Sequence, residues 1–208
     1  VYKRQEHVSA ETFDSRVWPR TAAIAERLWS PADLRNVDDM YRRMDIVSIQ
    51  LESLGLTHIK NKDMMLRRLM GTNDITALAN LVQYLEPVQG YKRNRANNFT
   101  RFSPYTLMVD IAVPDQKAVR SVTALLVNAG VTKEIDKLNQ VEHLLQQWIV
   151  DARKVQLDID QKPALKDLLV PAIYLEKIAA VGINAIGIYK SGSKLEKFWD
   201  EEKEELFK

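Results

Sequence analysis

The chain has 208 residues, of which 46% are hydrophobic and 28% are charged, a composition typical of a folded globular protein. Thirty basic residues against 28 acidic ones give a formal net charge of +2, which excludes the strong overall positive field of many nucleic-acid and membrane-surface binders. The absence of cysteine excludes disulfides and thiolate chemistry, and no uninterrupted apolar run approaches the roughly 18 residues of a membrane span.

The first strongly predicted helix runs from Pro19 to Trp29. Proline has a φ angle near the helical value, and a residue in the first turn does not need the N–H that proline lacks. Small and apolar side chains lie on more than one side of this helix, whereas an ordinary surface helix has one apolar stripe. We therefore expect a helix that needs packing partners on two faces. Before it, residues 6–14 are expected to form a loop with a short helical turn, which Ser9 can cap.

A longer helix is predicted after two candidate N-caps, Asn36 and Asp38. Apolar residues then recur at steps of three and four up to Leu54, and Gly55 is placed to end the helix. A short helix should follow over residues 61–70. The next helix should cover residues 74–85, with its leucines and valine on one side.

The second half of the chain is also predicted to be helical. Thr132 is expected to cap a long helix, Pro163 should begin the next one, and Pro171 should either kink or divide it. The nearly apolar stretch 179–188 is predicted to be the buried centre of a bundle, and residues 194–208 a charged last helix. No convincing strand follows residue 8. The long helix has the clearest apolar period of the chain, at Leu138, Val141, Leu145, Trp148, Ala152 and Val155.

Two motifs in the opening region carry a family resemblance. Trp-Pro-Arg at residues 18–20, followed by Ala-Ile-Ala-Glu-Arg-Leu-Trp at residues 23–29, resembles the last barrel helix of family 20 glycoside hydrolases, the β-N-acetylhexosaminidases. The resemblance extends from Glu6 to His58. Later segments, at residues 63–68 and 90–94, are similar to the helical tails of some bacterial members.

The resemblance implies an architecture. Family 20 enzymes are built on a (β/α)8 barrel. This chain would contain only a remnant of the last barrel helix, followed by a C-terminal helical bundle, and it would therefore be all-α. Residues 1–58 would be the end of the barrel domain and residues 59–208 a helical module. Because such a barrel needs several hundred earlier residues, we expect the chain to be truncated at its N-terminus, with residues 1–5 not native to the gene.

Glu6 is the one candidate substrate-binding residue. In the resembled family the last barrel strand ends in Trp-x-Glu, and its glutamate hydrogen-bonds hydroxyls of the terminal sugar. Glu6 falls on that glutamate, although Arg4 stands where the family has tryptophan. A carboxylate suits the task because it accepts two directional hydrogen bonds. The alternative is a solvated glutamate near a chain end.

No catalytic residue is assigned. The family's catalytic pair is an Asp-Glu after Gly-Gly on an earlier strand, and the sequence contains no Gly-Gly-Asp-Glu. The aspartate orients the substrate acetamido group that attacks the anomeric carbon, and the glutamate is general acid and then base. Asp200-Glu201 copies only the dipeptide, within a run of charges typical of a solvated helix.

Aromatic residues near the start invite a second sugar-binding interpretation. Trp18 and Trp29 could stack on sugar rings, but helices line the outside of such barrels, away from the chemistry. We therefore interpret both tryptophans as packing residues, and Arg20 and Glu26 as an ion pair between the helix and the barrel.

Metal and nucleic-acid sites are not expected. The three histidines, His7, His58 and His143, lack any metal-ligand spacing and are interpreted as surface or capping residues, so we predict no metal and no cofactor.

The polar loop 91–103 combines cations with rings that could contact phosphates and bases. Its four cations form only a small positive patch in a chain whose basic and acidic residues nearly cancel. This favours a loop that packs its aromatic rings on the helices. Its members are Tyr91, Lys92, Arg93, Arg95, Phe99, Arg101 and Phe102.

The resemblance implies that the parent protein releases terminal non-reducing N-acetylhexosamine from glycans. The reaction would retain the anomeric configuration and would not use a metal. The expected location of the parent protein is the periplasm or the cell surface, a homo-oligomer remains open, and this chain alone should be inactive. The alternative is a free-standing helical interaction module that binds protein, glycan or nucleic acid. The upstream gene sequence separates the two, because only the first requires a barrel with Gly-Gly-Asp-Glu.

Overall fold

A computed structural model describes residues 8–87, 108–132 and 134–193, and within these ranges it contains helices and no strand. The all-α class predicted from the sequence is confirmed. The chain forms two compact units, residues 1–68 with 87–113 and residues 69–86 with 114–208. The domain boundary expected between residues 58 and 59 stays a prediction.

The first unit is built from short and medium helices, and α4 continues for two residues into the second unit. Its described helices are α1 (Ala10–Val17), α2 (Arg20–Trp29), α3 (Val37–Ser53), α4 (Lys60–Met70) and α6 (Met108–Ile111). The second unit contains the longest helices. Its described elements are α5 (Thr76–Val82), α7 (Lys117–Thr132), α8 (Ile135–Gln161), a 3-10 helix (Pro163–Leu168) and α9 (Leu169–Lys190).

The predicted helix ends of the first unit agree closely with the structure. Pro19 lies at the N-cap of α2, one residue before the helix begins. Asn36 caps α3, and its side chain accepts a hydrogen bond from the Asp39 amide at 3.0 Å. Gly55 has a φ of 97°, the left-handed conformation that glycine adopts without a Cβ clash after a helix end. Local chemistry alone was sufficient to locate these ends.

One hydrophobic cluster of the second unit lies between α7, α8 and α9. Its buried residues are Ala129, Val141, Leu145, Ala179 and Ile186, with Leu125, Leu138, Trp148, Ile149 and Ile183 packed against them. The apolar period read from α8 therefore marks its packed side, as predicted. α5 adds three buried residues to the unit, Leu78, Leu81 and Val82.

Two predictions about helix starts need correction or refinement. Thr132 ends α7 and donates a hydrogen bond to the Asn128 carbonyl at 2.9 Å, so Glu134 rather than Thr132 lies at the N-cap of α8. Pro171 is the third residue of α9, where a missing N–H breaks no helical hydrogen bond, and a 3-10 helix precedes it. The apolar run is thus divided before Pro171 rather than kinked at it.

The stretch 179–188 is not a buried centre, contrary to prediction. Ala179 and Ile186 are buried, whereas Asn184 and Gly187 are exposed. One side of α9 packs against α8, whereas residues on its other side are exposed, so an apolar run alone overestimates burial.

One segment has the length and composition of a membrane-crossing helix. Within the described ranges, Pro163–Lys190 contains an 18-residue window with a mean hydropathy of 1.5. Its sequence is not an uninterrupted apolar run, because Glu176 and Lys177 interrupt the pattern. One such helix is weak evidence for a span, since the core helices of globular proteins pass the same test.

Candidate functional site

Several sequence-predicted site residues cannot be placed. Glu6 lies outside the described residues, so its role as a substrate contact stays a prediction. His7, the loop 91–103, the pair Asp200-Glu201 and the helix expected over 194–208 also lie outside them. The site is therefore built from the elements that follow Glu6 in the chain.

The helix nearest to Glu6 is fixed by polar contacts with the start of α4. On α1, the Asp14 carboxylate accepts hydrogen bonds from the Thr57 amide at 2.7 Å and from the Thr57 hydroxyl at 2.9 Å. The Asn61 amide group donates to the Glu11 carbonyl at 2.9 Å. These bonds join parts of the chain that lie more than 40 residues apart. They position α1 against the segment 57–61.

Glu11 forms a bidentate ion pair with Arg68 of α4. Arg68 donates to both of its carboxylate oxygens, at 2.8 and 2.5 Å. These hydrogen bonds lower the pKa of Glu11, because they stabilise the charged carboxylate. A general acid needs a raised pKa, so Glu11 is unsuited to that role.

Glu26 of α2 forms an ion pair with another helix of this chain. The Glu26 carboxylate is bound by Arg43 of α3 through two hydrogen bonds, and Arg43 also donates to Asp39. Arg20 instead donates to the Arg16 carbonyl at 3.2 Å. Glu26 is thus paired within the chain, because α3 carries a guanidinium within its reach, and a contact of Arg20 or Glu26 with a barrel stays a prediction.

An uncovered apolar surface is the most unusual feature of α2. Leu28 is 84% exposed and Trp29 is 93% exposed, and Ile24 lies one turn before Leu28 with nearly half of its surface exposed. We call these three residues the α2 apolar surface. Trp29 was expected to pack, and within this chain it does not. The helix has no buried residue at all, which agrees with the expectation that it needs partners on two faces.

His58 is buried, although a surface or capping position was expected. It is 7% exposed, and its Nε2 lies 2.8 Å from the Ser48 hydroxyl of α3. Its Nδ1 is also buried and has no hydrogen-bond partner among the described residues. Burial lowers its pKa, an effect that outweighs the opposing influence of the Glu52 and Asp14 carboxylates and of hydrogen bonding to Ser48. Nothing in the local sequence distinguished this histidine from His143, which is exposed.

Three buried aspartates were not singled out from the sequence. Asp110 pairs with Arg16 at 3.4 Å, and Asp158 pairs with Lys154 at 2.9 Å. Asp151 accepts hydrogen bonds from the side-chain amides of Asn80 and Gln147. Their partners stabilise the buried charges, as buried carboxylates require. Among the described residues, no group of three or more His, Asp or Glu side chains could hold a metal ion.

Comparisons of sequence give local matches to β-hexosaminidases. No protein-family model matches the chain. The β-hexosaminidase subunit beta of Rattus norvegicus is 39% identical over 51 residues, which are 24% of this chain and 10% of that protein. The human subunit beta is 49% identical over 39 residues, or 19% of this chain and 7% of that protein. A probable β-hexosaminidase of Drosophila melanogaster is 43% identical over 56 residues, or 24% of this chain and 8% of that protein.

The structural comparison covers far more of the chain. The chitobiase of Flavobacterium johnsoniae matches 91% of this chain with a TM-score of 0.78 and 33% sequence identity. The matched part is 29% of that chitobiase chain, and the chain spans about a tenth of the curated relatives named above. The resemblance read from the opening motifs is thereby confirmed. The homologues of this chain are β-hexosaminidases over about 50 residues, and over most of its length it is similar to part of a bacterial family 20 glycoside hydrolase.

Proposed function

We propose that this chain is the C-terminal part of a bacterial β-N-acetylhexosaminidase that hydrolyses terminal non-reducing N-acetylhexosamine residues of glycans. The observation that carries the proposal is the likeness to the chitobiase, because 33% identity over 91% of the chain extends beyond a shared fold. The local matches to β-hexosaminidases from animals support the same reaction class.

The α2 apolar surface supports the view that a further part of the parent protein covers this helix. Leu28 and Trp29 are large apolar side chains that are almost fully exposed here. Burying such side chains stabilises a protein by about 1.5–3 kcal/mol each, so leaving them in water is costly. The chitobiase is more than three times as long as this chain, and most of it lies outside the matched part. The corresponding part of the parent protein would cover the α2 apolar surface.

The proposed reaction uses residues that this sequence does not contain. Substrate-assisted retention needs an aspartate that orients the acetamido group and a glutamate that acts as general acid and then base. No Gly-Gly-Asp-Glu occurs in the 208 residues, so we expect this chain to be inactive by itself. The parent enzyme would act in the periplasm or at the cell surface.

The proposal is tested with the gene sequence upstream of Glu6 and with two proteins. We expect the upstream sequence to encode a barrel with Gly-Gly-Asp-Glu, and the longer protein to hydrolyse a nitrophenyl N-acetyl-β-glucosaminide. The 208-residue chain, assayed at the same concentration, should give only the rate of a blank. An upstream start codon or an unrelated domain would contradict the family assignment, and turnover by the short chain would contradict its inactivity.

Glu6 is proposed as a contact to the sugar hydroxyls in the longer protein. Replacing Glu6 with Gln should lower kcat/KM by about 10- to 100-fold, because a hydrogen bond to a charged group contributes about 1.5–3 kcal/mol. Glu86, an exposed carboxylate of the other unit, provides the matched control. A loss in Glu86→Gln as large as that in Glu6→Gln would indicate a general effect on the enzyme and remove the assignment.

A further inference from the structure

His58 lies where three helices of the first unit are joined. It lies two residues before the start of α4 and contacts Ser48 of α3. Its neighbour Thr57 is bound to Asp14 of α1 through both its amide and its hydroxyl. The segment 57–61, which includes His58, therefore connects α1, α3 and α4.

The two ring nitrogens of His58 are in different situations. Nε2 is within hydrogen-bond distance of the Ser48 hydroxyl, whereas Nδ1 is buried and, among the described residues, has no partner. A neutral imidazole carries one N–H and one bare nitrogen, so it can donate from Nε2 to Ser48 and leave Nδ1 without a proton. A protonated imidazole has N–H groups at both positions, and the one at Nδ1 would be buried without an acceptor.

We propose that His58 is a pH-sensitive clasp: in its neutral form it holds α1, α3 and the start of α4 together, and its protonation releases them. The buried Nδ1 without a partner and the hydrogen bond of Nε2 to Ser48 carry the proposal. It concerns the first unit of this chain and does not depend on the activity of the parent protein.

Two carboxylates oppose the release. Glu52 of α3 and Asp14 of α1 favour the charged ring, and Ser48 is the polar partner on the same helix as Glu52. Burial has the larger effect, so the pKa of His58 lies below its ordinary value in the folded chain. We call the chain closed when α1, α3 and the start of α4 are held together. An unfolded or locally opened chain then binds a proton at His58 that the closed form excludes. The closed form is fully stable above the ordinary histidine pKa of 6.5 and loses stability as the pH falls below it.

Hydrogen exchange in the segment 57–61 directly measures whether α1, α3 and α4 separate. The reporters are the backbone amides of Thr57, bound to Asp14, and of Asn61, bound to the Thr57 carbonyl at 3.0 Å. Protection factors divide out the intrinsic pH dependence of exchange, and pH 7.5 and pH 5.5 both lie above the ordinary range of carboxyl titration. In the wild-type chain we expect both factors to fall between these values, by at most about tenfold per pH unit below 6.5 because one proton is linked.

Two variants separate His58 from other groups. His58→Gln retains a donor for Ser48 and does not titrate, so its protection factors should be the same at both pH values. His143→Gln removes an exposed histidine of the other unit and should behave as the wild type does. The proposal is overturned if the wild type shows no fall, or if His58→Gln shows the same fall.

A second measurement keeps the test decisive if His58→Gln does not fold. The ring protons of His58 can be followed by NMR in the wild-type chain over the same pH range. We expect a titration midpoint below the ordinary value near 6.5, and loss of the Thr57 and Asn61 protection over the same interval. A midpoint at or above the ordinary value would overturn the proposal.

Discussion

Arg43 of α3 donates to both carboxylate oxygens of Glu26 on α2, from Nε at 3.1 Å and from Nη2 at 2.5 Å. The same guanidinium donates to Asp39, one turn earlier on α3. α2 has no buried residue, and this bidentate, charge-assisted pair joins it to α3. It therefore limits how freely α2 moves.

Replacing Glu26 with Gln should loosen α2. The amide keeps one acceptor but loses its charge, so the fork of two charge-assisted bonds is lost. We expect faster hydrogen exchange in the amides of Arg20–Trp29 and little change in the second unit. Asp33→Asn, the same chemical change in the exposed connection after α2, is the control. Equal acceleration in both variants would contradict a specific role for the pair.

Acid should remove the difference between wild type and Glu26→Gln. Hydrogen bonding to Arg43 lowers the pKa of Glu26 from 4.5. A carboxylate with a lowered folded-state pKa stabilises the fold above its unfolded pKa, and this contribution is lost as the pH falls through the folded value. The exchange rates of α2 in the two proteins should therefore differ at pH 6 and converge well below pH 4.5. A difference that persists unchanged in acid would point to another cause.

The α2 apolar surface should bind a hydrophobic dye in this chain. Leu28 and Trp29 are almost fully exposed, and neighbouring apolar side chains in water form dye-binding patches. The double change Leu28→Gln and Trp29→Gln should reduce anilinonaphthalene sulfonate fluorescence with no change in helix content by circular dichroism. Leu157→Gln, on an exposed position of α8, is the control. If the control lowers the fluorescence equally, the dye binds elsewhere.

Local signals in the sequence predicted the helix ends, whereas contacts between residues far apart in the chain could not be predicted from the sequence. Asn36 and Gly55 were identified because capping and the left-handed conformation depend on the residue itself. The Glu26–Arg43 pair and the burial of His58 depend on how α2 and α4 lie against α3, which one sequence does not reveal. Glu6 could be identified only by its place in a family motif.

The packed side of α8 should be far more sensitive to truncation than its outer side. Val155 is 1% exposed and Val150 is 60% exposed, so the same change can be made at two positions of one helix. Val155→Ala removes two buried methyl groups and should lower the free energy of unfolding by about 2 kcal/mol. Val150→Ala should change it by less than about 0.5 kcal/mol. Urea unfolding of the second unit, followed by circular dichroism, measures both, and equal losses would contradict the orientation of α8.

Two glycines of α9 should respond in opposite ways to alanine. A Cβ at Gly182 would lie 2.7 Å from Leu145 Cδ1 of α8, whereas a Cβ at Gly187 would have nothing within 4 Å. Gly187→Ala should stabilise the helix by up to about 1 kcal/mol, because alanine has the higher helix propensity. Gly182→Ala gains the same propensity but must displace the end of the Leu145 side chain, and because Leu145 is packed in the buried cluster, we expect the change to be destabilising.

The contact with Leu145 can be isolated by a double-mutant cycle. Leu145→Ala removes the terminal carbons that the new methyl group would meet, so Gly182→Ala should change from destabilising to stabilising in that background. Gly187→Ala should have the same effect in both backgrounds, since its Cβ would meet no atom of α8. The midpoint of urea unfolding gives all the required differences. If Gly182→Ala stabilises the wild-type chain as much as Gly187→Ala does, α8 and α9 do not approach as closely as the structure shows.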